Sequence, residues 1–146
     1  MATHYYDITV DWKEGRIGTM SSLALPGEMS VATPPEFPEG VPGIWSPEHL
    51  FVASINSCLM TTFLAIAANS RLQFSGFRSK GTGKLEQVEG RFAISEVTLE
   101  PVVTVGSESE AEKALRILQK AEAACLISNS VKSKIIFNPE VKVSAD

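Results

Sequence analysis

Cationic charge, histidine and cysteine are all in short supply in this sequence. Its 13 Lys and Arg are outnumbered by 17 Asp and Glu, which leaves a formal net charge of -4. With no basic run either, the chain lacks the electrostatic footprint of a nucleic-acid or anionic-membrane binder. His4 and His49 are the only histidines, and Cys58 and Cys125 the only cysteines. None of the four falls at metal-ligand spacing, which argues against a zinc site. There is no GxGxxG, no Gly-rich phosphate loop and no GxSxG, so no cofactor is implied. The opening residues, Met1-Ala2-Thr3-His4, lack the basic and apolar regions of a secretory signal. A cytoplasmic location is the expectation, and there a thiol is reduced by default. Cys58 and Cys125 are then either buried structural thiols or a redox pair.

What the chain does have is one long uncharged stretch, residues 50–68, with Cys58 near its middle. Ser46-Pro47-Glu48 opens it as a helix should begin: a capping hydroxyl, a proline at the first helical position, and an acid at the positive end of the dipole. Asn69-Ser70-Arg71 closes it. A helix that is apolar all round must be covered on every side, by lipid or by protein. The length suits a membrane span. Ser54, Asn56, Ser57, Thr61 and Thr62 cluster mid-stretch, however, and no basic residues flank it. The expectation is a core helix wrapped by the rest of a single domain, residues 1–146. The overall composition, 44% apolar and 21% charged, is that of an ordinary folded domain.

The flanks read as β structure. Tyr6, Ile8, Val10 and Trp12 alternate with Asp7, Thr9 and Asp11, the pattern of a half-buried strand. A turn around Gly15-Arg16 leads to a second alternating run, residues 17–25, so the two form a hairpin. From Pro26 to Pro47 the chain is rich in Pro and Gly, which predicts an ordered loop, with a short strand around residues 28–32. After the helix, residues 73–105 read as a longer hairpin. A change of hydrophobic phase near Ser95-Glu96 predicts a β-bulge. Ser107 and Glu110 fit a capping box. Ala111, Ala114, Leu115, Leu118 and Ala121 mark the inward face of the next helix, and Cys125 continues it toward the core. Residues 126–131 read as a short further helix, and residues 135–143 as a closing strand.

A reactive thiol needs a depressed pKa, because the thiolate is the nucleophile. Burial alone pushes the other way. The central stretch supplies no cation, so Arg16 is the candidate, with Glu48 to hold its guanidinium. Glu48 precedes Cys58 by ten residues, about 15 Å along a continuous helix. Either that helix breaks or the site combines two chains.

Ser46-Pro47-Glu48-His49-Leu50-Phe51-Val52-Ala53 resembles the N-P-E-x-L-x-A-A segment of the OsmC/Ohr family of thiol-dependent peroxidases. Cys58 falls at that family's first cysteine. Ala124-Cys125-Leu126-Ile127-Ser128-Asn129 resembles its C-P-x-S-N motif, with Leu126 in place of the proline. Gly15-Arg16 matches its early turn, and the element order agrees over nearly the whole chain. The proline-rich residues 34–43 suggest an OsmC-like side branch.

The resemblance implies an α+β fold, an intertwined, swapped homodimer with antiparallel sheets wrapped around the central helices. It implies Cys58 as peroxidatic cysteine, Cys125 as resolving cysteine, Arg16 stabilising the thiolate and Glu48 orienting Arg16. The implied substrates are organic hydroperoxides, with hydrogen peroxide a poorer one. The implied reductant is a dithiol such as a lipoylated protein. Phe37, Trp45 and Phe51 are the expected walls of an apolar pocket for an alkyl or lipid peroxide. A non-catalytic small-molecule binding module, or a redox sensor, is the alternative on the same fold.

Overall fold

The computed structural model describes residues 2–144. The fold is α+β, with two helices and two sheets. Contacts divide the chain into two compact units, Met1–Leu50 and Phe51–Asp146.

The first unit holds an antiparallel sheet in the order β1-β2-β3, with β1 at Thr9–Glu14, β2 at Ile17–Ser21 and β3 at Met29–Ala32. The expected hairpin and short strand are both present. Gly15 makes the β1–β2 turn at φ 51°, in the left-handed region that glycine enters without strain. β1 is not half-buried as its alternation predicts: every one of its residues is exposed. Trp12, 78% exposed, donates its indole N–H to Gly15 O at 3.0 Å. The Pro-rich segment is ordered, as expected. Val41 N–H donates to Thr33 O at 2.8 Å, and Ala32 N–H to Trp45 O at 2.9 Å. Gly40 is obligatory there, since a Cβ would lie 2.0 Å from Pro34 O.

Helix α1, Pro47–Asn69, runs unbroken through the apolar stretch. Ser46 Oγ caps it, accepting from His49 N–H at 3.1 Å. At its other end Arg71 takes φ 54°, and the Leu72 and Arg71 amides bond back to Ala67 and Ala68. That is a Schellman closure without the usual glycine. By length and composition α1 could cross a membrane. Only one stripe of it is buried in the chain: Ile55, Leu59, Phe63 and Ala67. The expectation of a helix covered on all sides is met on that stripe alone.

In the second unit, β4 (Gly76–Val88) and β5 (Arg91–Val105) pair antiparallel through a two-residue turn, Glu89-Gly90, both at positive φ. The predicted bulge is present: Lys84 pairs with Glu96 and Leu85 with Ile94, so Ser95 is the extra residue. Helix α2, Glu108–Ala124, crosses over and returns the chain parallel to β5. The sheet is therefore mixed rather than antiparallel throughout, because a helical crossover delivers a parallel strand. The expected closing strand is two strands, β6 (Lys134–Phe137) and β7 (Glu140–Val143). Pro139, with no N–H to give the ladder, separates them.

The core joins the α1 stripe to Val97, Leu99, Val103 and Val105 of β5 and to Ala114, Ile117, Leu118 and Ala121 of α2. Ile117, not Leu115, completes the α2 face; Leu115 is exposed. The capping box at α2 is half formed. Ser107 Oγ accepts from Glu110 N–H, but the Glu110 carboxylate takes the Gln73 N–H at 2.9 Å instead of returning to the cap.

Candidate active site

α1 lies close enough to β4 that a Cβ at Gly83 would come within 2.6 Å of Val52 Cγ2. Asn56 fastens the two: its Nδ2 donates to Ser79 O at 2.9 Å, and its Oδ1 accepts from Ser79 Oγ at 2.6 Å. The other mid-helix hydroxyls mostly bond their own helix. Ser54 donates to Phe51 O, Ser57 to Ser54 O and Thr61 to Cys58 O. Of that polar patch only Thr62 reaches the thiol, its Oγ1 standing 3.8 Å from Cys58 Sγ.

Cys58 and Cys125 are brought together as free thiols in mutual contact. Cys125 caps the C-terminus of α2 in an extended conformation (φ -65°, ψ 111°), and there the chain turns away from the helix axis. That turn points backbone donors at Cys58. Burial pushes the Cys58 thiol up, but this is outweighed. The Ile127 N–H, the Cys125 thiol, the Thr62 hydroxyl and the Leu126 N–H surround its sulfur and favour the thiolate, and the net displacement is below the ordinary thiol value. Hydrogen bonds that favour the charged form act in this direction. Cys125 is displaced the opposite way. Burial raises it, the Ser128 side chain and N–H oppose this, and the neighbouring Cys58 raises it further. Cys125 is fully buried and directs its thiol at Ile55 O, 4.0 Å away. The surroundings favour the thiolate at Cys58 and the thiol at Cys125.

Arg16 stands at the β1–β2 turn, half exposed, and pairs with Glu39 at 2.6 Å. The hydrogen bond from Arg16, and then its charge, hold the Glu39 carboxyl below its usual value. Glu39 was not among the expected site residues. Its signal in the sequence is a carboxylate directly before the obligatory Gly40 in an ordered loop. Glu48 lies in the first turn of α1, ten residues ahead of Cys58 on the same unbroken helix. Its neighbour His49 bonds the capping hydroxyl, Nδ1 to Ser46 Oγ at 2.6 Å, and meets Trp45 edge-on at 6.2 Å.

The expected pocket residues fall in both units, Phe37 and Trp45 in the first and Phe51 in the second. Trp45 is half exposed beside His49, Phe37 lies in the Pro-rich loop, and Phe51 packs against the core of the second unit. A different concavity, of about 420 Å³, sets Val10, Trp12, Ile17 and Val31 around Arg16. Sequence alternation places Val10 and Trp12 on one face, but only the three-stranded sheet brings Val31 beside them. Among the described residues no group of three His, Cys, Asp or Glu converges as a metal site would require.

Residues 40–140 match the family model for OsmC-like proteins. A relative from Bacillus subtilis, the uncharacterized protein YmaD, is 23% identical over 98% of this chain and 97% of its own. An OsmC-like protein of unknown function from Vibrio cholerae has the same fold, with a TM-score of 0.83 at 23% identity, covering 94% of this chain and 99% of that one. An organic hydroperoxide resistance protein from Elizabethkingia anophelis superposes with a TM-score of 0.76 at 21% identity, over 98% and 99% of the two chains. With its family match spanning most of the sequence, the chain belongs to the OsmC-like family.

Proposed function

We propose that this protein is a cysteine-based peroxidase that reduces organic hydroperoxides to alcohols. The observation that carries the reading is the contact between two free thiols displaced in opposite directions, Cys58 toward thiolate and Cys125 toward thiol. The name of the Elizabethkingia relative supports the substrate class.

The Cys58 thiolate attacks the terminal peroxide oxygen. The O–O bond breaks, the alkoxide leaves and takes a proton, and Cys58 becomes a sulfenic acid. The Cys125 sulfur then attacks the Cys58 sulfur, water leaves, and a disulfide closes the cycle. A dithiol, such as that of a lipoylated protein, restores both thiols by exchange. The chemistry suits a reducing compartment, in keeping with a cytoplasmic location.

The working unit is a homodimer. Large apolar side chains lie open on α1 (Met60, Leu64) and on one face of β1 (Val10, Trp12). A second copy covers them better than lipid does. The sheet packed beside α1 carries Arg78, Lys80 and Lys84, which a bilayer would have to bury. The unbroken helix leaves Glu48 about 15 Å up the axis from Cys58. Arg16 and Glu48 therefore serve the thiol of the second copy. The concavity beside Arg16 takes the alkyl group.

The test is peroxide consumption with a dithiol reductant. Wild type turns over cumene hydroperoxide, with hydrogen peroxide a poorer substrate, and Cys58→Ser does not. Equal consumption by Cys58→Ser sinks the Cys58 peroxidase reading, and no consumption by wild type leaves a binding module.

A further inference from the structure

Cys125 presents a chemical problem that its partner does not. To close the disulfide it must shed its proton, yet it is fully buried. Burial opposes ionisation. Its surroundings offer few groups to help. Ile55 O accepts from the thiol and so favours the protonated form. Cys58 is the titratable neighbour from α1, and it works against ionisation in the resting dithiol. The Ser128 N–H and the Ser128 hydroxyl are the groups that favour charge on sulfur.

That hydroxyl is unusual in the molecule. Ser128 is only 9% exposed, and its Oγ is the one buried side-chain oxygen or nitrogen among the described residues with no hydrogen-bond partner. It lies beside the Cys125 sulfur without a formed bond while both cysteines are thiols. An orphaned buried hydroxyl costs about 1–3 kcal/mol. Its neighbours in the same turn are all engaged: Asn129 Nδ2 donates to Ala123 O and Ser130 Oγ to Leu126 O. The turn can satisfy its polar groups, and at Ser128 alone it does not.

We infer that Ser128 is a positioning residue for the second half of the cycle, its idle hydroxyl donating to the Cys125 sulfur as that sulfur loses its proton and attacks the Cys58 sulfenic acid. In this step the Cys125 S–H proton goes to the sulfenic hydroxyl, the Cys58 S–O bond breaks and the S–S bond forms. Water leaves, Cys125 is oxidised and the Cys58 sulfenic sulfur reduced, and no further reactant is needed. The hydrogen bond exists only while charge sits on Cys125, so it lowers that barrier without stabilising the resting dithiol. The inference rests on the peroxidase reading.

The experiment follows the two steps separately in single-turnover reactions with cumene hydroperoxide. Dimedone trapping and mass spectrometry count Cys58 sulfenic acid and disulfide against time. Ser128→Ala should form sulfenic acid at the wild-type rate but condense it about tenfold more slowly, as expected for one lost hydrogen bond to a charged group. Ser128→Thr, which keeps a hydroxyl, should recover most of the condensation rate. A merely structural Ser128 would leave both steps unchanged, and removing an orphaned hydroxyl would not lower stability. Condensation at the wild-type rate in Ser128→Ala overturns the inference. Ser128→Gly repeats the test should the alanine variant not fold. If wild type itself forms neither sulfenic acid nor disulfide, the peroxidase reading fails with it.

Discussion

Leu126→Pro isolates the backbone contribution to the Cys58 thiolate. Leu126 N–H is one of the donors to that sulfur, and proline has no N–H to give. The site tolerates the ring. Cys125 before it is extended at ψ 111°, close to what a residue preceding proline adopts, Leu126 is not at positive φ, and its side chain is mostly exposed. The OsmC/Ohr motif that this segment resembles carries proline at the same place. A hydrogen bond to a charged group contributes about 1.5–3 kcal/mol. Cys58 is half-buried, and solvent screening leaves about 1 kcal/mol of that. The thiolate fraction below the pKa then falls roughly fivefold. The remaining thiolate is more basic and intrinsically more nucleophilic, by roughly twofold at a Brønsted slope near 0.45. Alkylation of Cys58 by iodoacetamide, followed by peptide mass spectrometry across pH, should therefore be about two- to threefold slower in the variant at neutral pH. At alkaline pH, where both proteins are ionised, it should be about twofold faster. The crossing of the two profiles is the signature. Superimposable profiles, with an unchanged melting temperature, would refute the backbone cradle.

Three other changes probe separate parts of the account. In wild type, the rate of Cys58 alkylation should rise with pH with its midpoint below 9.0, the ordinary thiol value, because the folded protein favours its thiolate; a midpoint above 9.0 would contradict the site. Asn56→Ala removes both bonds to Ser79 and should lower stability by about 1–2 kcal/mol, read as the midpoint of urea unfolding. Leu64→Glu places a charge on the uncovered side of α1, where Leu64 is 40% exposed, and should convert a dimer to a monomer in sedimentation velocity with circular dichroism unchanged.

Much of this architecture is written in local sequence. The limits of α1 follow from Ser46, Pro47 and the end of the apolar run, and the bulge at Ser95 follows from a change of parity. The inward face of α2 is read less accurately, because Leu115 and Ile117 flank the same stripe and only packing chooses between them. The split of the last strand turns on a single proline. At the site, the meeting of Cys58 and Cys125 is foreshadowed by two thiols on inward helix faces. The polar patch around Cys58 is not what it suggests: Asn56 secures β4, and most of the hydroxyls bond their own helix. The groups that favour the Cys58 thiolate include the amides of Leu126 and Ile127, and every residue but proline carries an amide, so no side-chain pattern announces them. Glu39 is hidden for a related reason, since a loop carboxylate has no periodicity to betray its partner.

The central claim is that Cys58 and Cys125 are the two halves of one redox couple. Its most direct test is a non-reducing peptide map after one equivalent of cumene hydroperoxide. A peptide containing Cys58 should be found joined to one containing Cys125, with both free thiols lost together and the bond within a single chain. Retention of both free thiols, or a disulfide only between Cys58 residues of different chains, would contradict it.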